Sequence, residues 1–220
     1  VPIPFDRAVV YKYNDPVKGE VYQPFEIVPP VTARFAEKVI IFSNSTSATV
    51  PVTITAGMND VIGTVELKST GKWKIEPGNN TFDIKQKGES VTLQFQVTPP
   101  SGQDEAVLTP TVKINGQEYS EEIIRIDYDH IPLQTLLVPA ETKLVKLDIQ
   151  KICEKIGYFE GAGDAIPPSL RKICYQVSTL DPGSITASYL TVLDAVFLAI
   201  RAFNPLDELR CPHRALHQYL

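Results

Sequence analysis

The stretch that most constrains this chain is 155–171, Lys-Ile-Gly-Tyr-Phe-Glu-Gly-Ala-Gly-Asp-Ala-Ile-Pro-Pro-Ser-Leu-Arg. Ile156, Tyr158 and Phe159 form a short apolar run of strand formers. Gly161 and Gly163 permit a sharp backbone turn. Asp164 is placed to cap a following helix, where its charge suits the positive N-terminus. Pro167 and Pro168 fit a first helical turn, in which missing N–H donors cost nothing. Strand, glycine turn and helix in this order open a parallel α/β sheet.

The same alternation continues to the last residue. Strands are expected at 156–160, 175–180 and 194–203, and helices at 167–173, 187–193 and about 206–219. Right-handed crossovers would join them into a small, truncated three-layer α/β unit over 152–220. Its third strand, with Ala195-Val-Phe-Leu-Ala-Ile200, is apolar throughout, as strands buried on both faces are. It is therefore expected to be central. With no fourth strand to follow, the sheet should keep an open edge, expected to show as self-association into a homodimer or as a conspicuous apolar patch at that end.

Upstream the pattern changes to all-β. Residues 31–133 contain strand-like runs at 38–43, 48–55, 64–68, 90–98, 108–114 and 118–126, many alternating apolar and polar as in Val91, Leu93, Phe95 and Val97. Turn signals separate them, and Asn115-Gly116 between Val112-Lys-Ile114 and Gln117-Glu-Tyr119 marks a two-residue hairpin. About seven short strands at this spacing predict an immunoglobulin-like β-sandwich. Residues 1–30, rich in proline and aromatics, read as an extended connector, since proline removes ladder donors. Residues 134–151, bounded by Pro132 and broken at Pro139, read as a linker, with alternation over 143–149 compatible with a strand.

Composition removes several function classes. The net charge of −5 over 220 residues supplies no concentrated basic face for nucleic acid. No apolar run reaches membrane-spanning length, and no signal peptide opens the chain. It starts at Val1, which suggests a mature or excised fragment. Three cysteines, Cys153, Cys174 and Cys211, do not make a disulfide framework and are read as free thiols. Asn44-Ser45-Thr46 and Asn79-Asn80-Thr81 match the glycosylation pattern, which also arises by chance in such turns.

Two constellations could carry chemistry. In an open α/β sheet ligands bind beyond the carboxyl ends of the strands. That edge would gather Glu160, Gly161, Gly163 and Asp164 from the first strand, Asp181 from the second, and Arg201 and Asn204 from the third. The plainer reading is a tight turn: the dinucleotide fingerprint needs a third glycine where Ile166 stands, and Asp164 would repel a phosphate. The plainer reading is preferred. The second constellation is Cys211, His213 and His217, which would share one face of a helix with metal-ligand spacing. An amphipathic solvated helix explains it more simply, so no metal is assigned. Asp127, Asp129 and His130 read as turn chemistry. Lone Trp73 is either sandwich core or a sugar-stacking platform, with core preferred.

Asp15-Pro-Val-Lys-Gly-Glu-Val-Tyr, Ile27-Val-Pro-Pro-Val31 and Ile126-Asp-Tyr-Asp-His-Ile-Pro-Leu-Gln134 together resemble the region downstream of the catalytic domain in large bacterial PIG-L-type (LmbE-like) deacetylases. So do Gly161-Ala-Gly-Asp-Ala-Ile-Pro-Pro-Ser-Leu-Arg171 and Ala199-Ile-Arg-Ala-Phe-Asn204. The resemblance covers nearly the whole chain. It implies a β-sandwich followed by a domain similar to class I glutamine amidotransferases, here cut short before the place of a nucleophilic Cys. It also implies a carbohydrate-active, secreted or periplasmic parent. The His-Pro-Asp-Asp-type zinc motif of the family's catalytic domain does not occur in this sequence. The expectation is therefore a non-catalytic accessory region, without cofactor. It would partner the parent's catalytic domain and position a glycan. Alternatives are a carbohydrate-binding module and a ligand-binding α/β domain at Gly161–Asp164.

Overall fold

The computed structural model describes residues 9–77, 80–128, 130–161, 165–181 and 187–199. The chain is mostly β and divides into two compact units. The first comprises Val1–Ile40, Ser47–Pro100 and Glu105–Leu144, and the second Ile41–Thr46, Ser101–Asp104 and Val145–Leu220.

The segment expected to be an extended connector instead holds a hairpin, β1 (Val10–Asp15) with β2 (Gly19–Pro24), in antiparallel register. Its loop is set by the Asp15 carboxylate, which accepts the N–H groups of Val17 and Lys18 at 2.8 Å each. This is the local bond through which Asp favours turns over ladders.

The next strands are β3 (Val31–Phe35), β4 (Val39–Phe42), β5 (Ala48–Ala56), β6 (Val61–Ser69), β7 (Lys74–Pro77), β8 (Thr81–Ile84), β9 (Ser90–Thr98), β10 (Asp104–Ile114) and β11 (Gln117–Tyr119). They are followed by β12 (Glu121–Ile126), β13 (Gln134–Pro139) and β14 (Thr142–Lys146). One sheet runs β3-β5-β9-β7 and another β4-β14-β10-β6-β8, with β11 on β10. The arrangement is consistent with a β-sandwich. Alternation in β5 and β9 faces inward as the sequence implies: Val50 stands opposite Phe95, and Val52 opposite Leu93. All four are buried, together with Ile54, Val97 and Phe35 of the same sheet and Val65, Phe82, Leu108 and Val112 of the other. The β10–β11 hairpin turns at Asn115 and Gly116, both at positive φ (49° and 80°), with Ile114 paired to Gln117. Positive φ at both central residues is what a type I′ turn requires, and Asn-Gly meets it at low cost.

The region expected to be a linker carries two of these strands. β13 pairs antiparallel with β12 in a two-stranded ribbon, and β14 lies between β4 and β10 in the larger sheet. Pro132 precedes the region and Pro139 ends β13, and β14 follows that break.

In the second unit β15 (Lys155–Phe159), α1 (Ile166–Lys172), β16 (Gln176–Thr179), α2 (Ala187–Leu190) and β17 (Ala195–Leu198) follow one another. The sheet is parallel, in the order β16-β15-β17. The apolar third strand was expected at the centre; β15 occupies that place, with β17 beside it. Tyr158 and Phe159 supply the bulk of the core with Leu180, Leu190, Leu193 and Ala199, whereas Phe197 and Leu198 are half exposed. Helix α1 begins after Ala165, which makes no side-chain cap; Asp164, expected to cap it, lies outside the described residues. It ends as the sequence of bonds at a Schellman turn demands. Tyr175 N–H donates to Leu170 O and Cys174 N–H to Arg171 O, with Cys174 at φ 65° where glycine is usual. The helix expected at about 206–219 lies outside the described residues.

Candidate functional site

The carboxyl edge of the parallel sheet assembles in part as expected. β15, β16 and β17 end side by side, since Tyr158 pairs with Thr179 and Phe159 with Leu198. Glu160 directly follows β15, and Asp181 follows β16 after Leu180; both are exposed. The Thr179 hydroxyl donates to Glu160 Oε1 at 3.3 Å, which ties the first two strands together at this edge. Gly161, partly buried, comes next. Gly163, Asp164, Arg201 and Asn204 lie outside the described residues, as do Cys211, His213 and His217. Among the described residues no group of three or more His, Cys, Asp or Glu side chains is placed to hold a metal ion, and no helix is long and apolar enough to cross a membrane. Asp127 and His130 are exposed, and the His130 ring stacks on Tyr128 at 5.8 Å between centroids.

Trp73 is 7% exposed. A ring this deeply buried offers no free face to a sugar, so the core reading holds.

A site that the sequence did not indicate lies in the first unit, beside the β12–β13 ribbon. Glu122 on β12 is 2% exposed and Thr142 at the start of β14 is 1% exposed. Both line one cleft of about 440 Å³. The ribbon is closed by Ala140 N–H donating to Ser120 O at 2.8 Å, and β14 is anchored by Lys143 N–H donating to Lys38 O at 2.9 Å. These bonds fix Glu122 and Thr142 on adjoining walls. Lys38 forms an ion pair with Glu122 Oε1. Glu122 Oε2 and Thr142 Oγ1 make no hydrogen bond with the protein. A buried carboxylate with only one oxygen satisfied is costly, because the second has lost its water without a replacement. Glu122 also lines a neighbouring cleft of about 210 Å³ with Arg34, Lys87 and Arg125. Arg125 is engaged with Glu26 at 3.3 Å. No local pattern marks Glu122 or Thr142. Their only sequence signal is a polar residue at an inward position of an alternating strand.

No protein-family model and no curated protein matches the chain. Among solved structures it is similar to the native conformation of E. coli alpha-2-macroglobulin, with 13% identity and a TM-score of 0.38 over 59% of this chain. It spans 7% of that protein's length. It is also similar to WR4, a C. elegans MSP family member, with 14% identity and a TM-score of 0.30, covering 52% of this chain and 97% of WR4. A third similar structure is the cupredoxin domain of amoB from Nitrosocaldus yellowstonii, with 12% identity and a TM-score of 0.31, covering 52% of this chain and 82% of that one. At these scores the likenesses carry neither a shared fold nor a shared activity.

Proposed function

We propose that this chain is a non-catalytic accessory region of a PIG-L-like N-acetyl-sugar deacetylase: an immunoglobulin-like sandwich followed by a truncated amidotransferase-like α/β domain. The observation that carries the reading is strand order. With β3, β5, β6, β7, β9, β10 and β14 lettered A to G, one sheet runs A-B-E-D and the other holds G-F-C with β4 and β8 on its two sides and β11 on F; this supports an immunoglobulin-like order carrying three added strands. A parallel sheet follows in the order second-first-third, which is how a flavodoxin-like doubly wound sheet begins. A sandwich and then such a sheet is the domain sequence that the resemblance implies. Its role is structural, holding or orienting a companion catalytic domain outside the cell.

The test is twofold. The coding region upstream of this segment should encode a His-Pro-Asp-Asp-type zinc motif in the same reading frame; a continuous upstream reading frame without one overturns the proposal. The purified chain, supplied with zinc and N-acetylated sugars, should release no acetate. Zinc-dependent release that survives repurification would sink it.

A further inference from the structure

We propose that the outer edge of β13 is a self-association surface, on which a second copy of this chain pairs its own β13 antiparallel across a two-fold axis. β12 and β13 form a sheet of two strands, and a two-stranded ribbon is marginal in water unless something extends or covers it. Among the described residues no third strand pairs with β13.

One hydrogen bond sets the phase of that edge. Ala140 N–H donates to Ser120 O, directly beyond the Pro139–Glu121 pair. Opposed residues in an antiparallel ladder alternate between hydrogen-bonded and non-bonded pairs. Gln134, Leu136 and Val138 therefore aim their backbone groups at β12, and Thr135, Leu137 and Pro139 aim theirs outward. Pro139 fits this phase, since proline is tolerated where its missing N–H would face away from the ladder. Thr135 and Leu137 keep outward N–H and C=O groups that a further strand can pair.

Side chains select the partner. Sheet edges are commonly blunted by charge: β3 carries Arg34, β7 Lys74 and Glu76, and β8 Asp83. β4 is uncharged, but of its four residues only Val39 is exposed. β13, Gln-Thr-Leu-Leu-Val-Pro, holds no charge and exposes Leu136 and Leu137, on opposite faces. Leu136 stands opposite Ile124 on β12, and Leu136 and Leu137 share a hollow of about 490 Å³ with Phe25 and Ile27. All five are between 39% and 85% exposed. The hollow's carboxylate, Glu26, is held by Arg125 and Thr135. A copy therefore brings no unbalanced like charge to this edge, although each chain is net acidic. Apolar side chains exposed to this extent form a patch of several hundred Å². Two such patches reach about 1,000 Å², the lower bound of a specific interface. With Thr135 opposite Leu137 of the other copy, the outward N–H and C=O groups of both residues pair, and the two Leu136 side chains meet within about 5 Å.

A dimer at this edge is independent of the deacetylase reading, so each can fail alone. Sedimentation of the full chain from about 1 to about 200 µM should show a monomer–dimer equilibrium. Leu136→Lys sets like charges against each other across the axis and should weaken the dimer at least about tenfold, as should Leu136→Glu. Mixing the two variants in equal amounts should restore a dimer, because the facing charges are then opposite, the signature of a two-fold contact at this residue. Thermal midpoints near that of wild type check that both variants fold, as half-exposed positions allow. Should they unfold, Ile27→Glu, on a more exposed side chain of the same hollow, decides in their place and should weaken the dimer in the same direction. The proposal is overturned if the wild type stays monomeric over that range, if the folded variants dimerise as wild type does, or if the mixture stays monomeric. It is overturned equally if Phe197→Lys on β17 dissociates the dimer and Leu136→Lys does not.

Discussion

Asp194 and Lys155 exchange hydrogen bonds where the parallel sheet begins: Asp194 N–H donates to Lys155 O at 2.9 Å, and Lys155 N–H donates to Asp194 Oδ2 at 2.8 Å. Glu154 N–H donates to the same carboxylate oxygen at 2.8 Å. The Lys155 N–H, then the Glu154 N–H, hold the Asp194 carboxyl below its ordinary value of 3.8. A carboxyl whose value is lower folded than unfolded stabilises the fold above the unfolded value, and that contribution is lost as pH falls through the folded one. The second unit should therefore lose stability below about pH 4. Asp194→Asn should flatten that acid limb relative to wild type, as read by urea unfolding across the acid range. An identical acid limb in the variant would mean the clasp contributes nothing.

Tyr158 and Phe197 occupy one register position on neighbouring strands, yet Tyr158 is 1% exposed and Phe197 44%. Tyr158→Ala should cost about 3–5 kcal/mol, as large-to-small aromatic changes in a core do. Phe197→Lys should cost less than about 1 kcal/mol. If Phe197 instead sits in a homodimer contact, sedimentation of this variant would show dissociation of a wild-type dimer with the sandwich still folded. Unfolding of the second unit by Phe197→Lys would place that ring in its core.

Gly63 lies inside β6, where a Cβ would come within 2.4 Å of Lys113 O and 2.9 Å of the Phe82 ring. The carbonyl belongs to the sheet and cannot swing away. Gly63→Ala should destabilise the first unit by at least about 2 kcal/mol, near the upper range for overpacking, seen as a lowered thermal midpoint. A midpoint within a degree of wild type would mean that the β6–β10 ladder adjusts freely.

Cys174 is exposed and Cys153 only partly so. The Cys174 thiol lies 2.8 Å from the Ser43 hydroxyl, and its backbone sits at positive φ. Alkylation of the native chain followed by peptide mapping should label Cys174 before Cys153. Cys174→Gly should keep the Schellman turn with stability equal or higher, because glycine enters that conformation without the Cβ penalty. Equal labelling of both thiols would contradict the exposure order.

What could be read from the sequence was local. Alternation in residues 90–98 dictates one buried face whatever the partner strand, and Asn115-Gly116 accepts positive φ wherever it stands, so both features were legible before any fold was known. The run Ile156, Tyr158, Phe159 with the prolines after it carried strand and helix in the same way, to within a residue or two. Contacts between distant segments decided the rest. β7 and β8 are too short to show a period, and β13 lies between Pro132 and Pro139, so pairing with β9, β6 and β12 defines them; alternation hinted at β14, but only pairing placed it between β4 and β10. The apolar run from Ala195 looked central, but Gly157 in β15 alone lets Leu180 and Leu193 close over the sheet, since a Cβ there would meet them at 2.7 and 2.6 Å. Glu122 became a buried, half-satisfied carboxylate because it lies beside Lys38, 84 residues away. Sheet pairing joins residues far apart in the chain, and no short window of sequence contains both sides of such a contact.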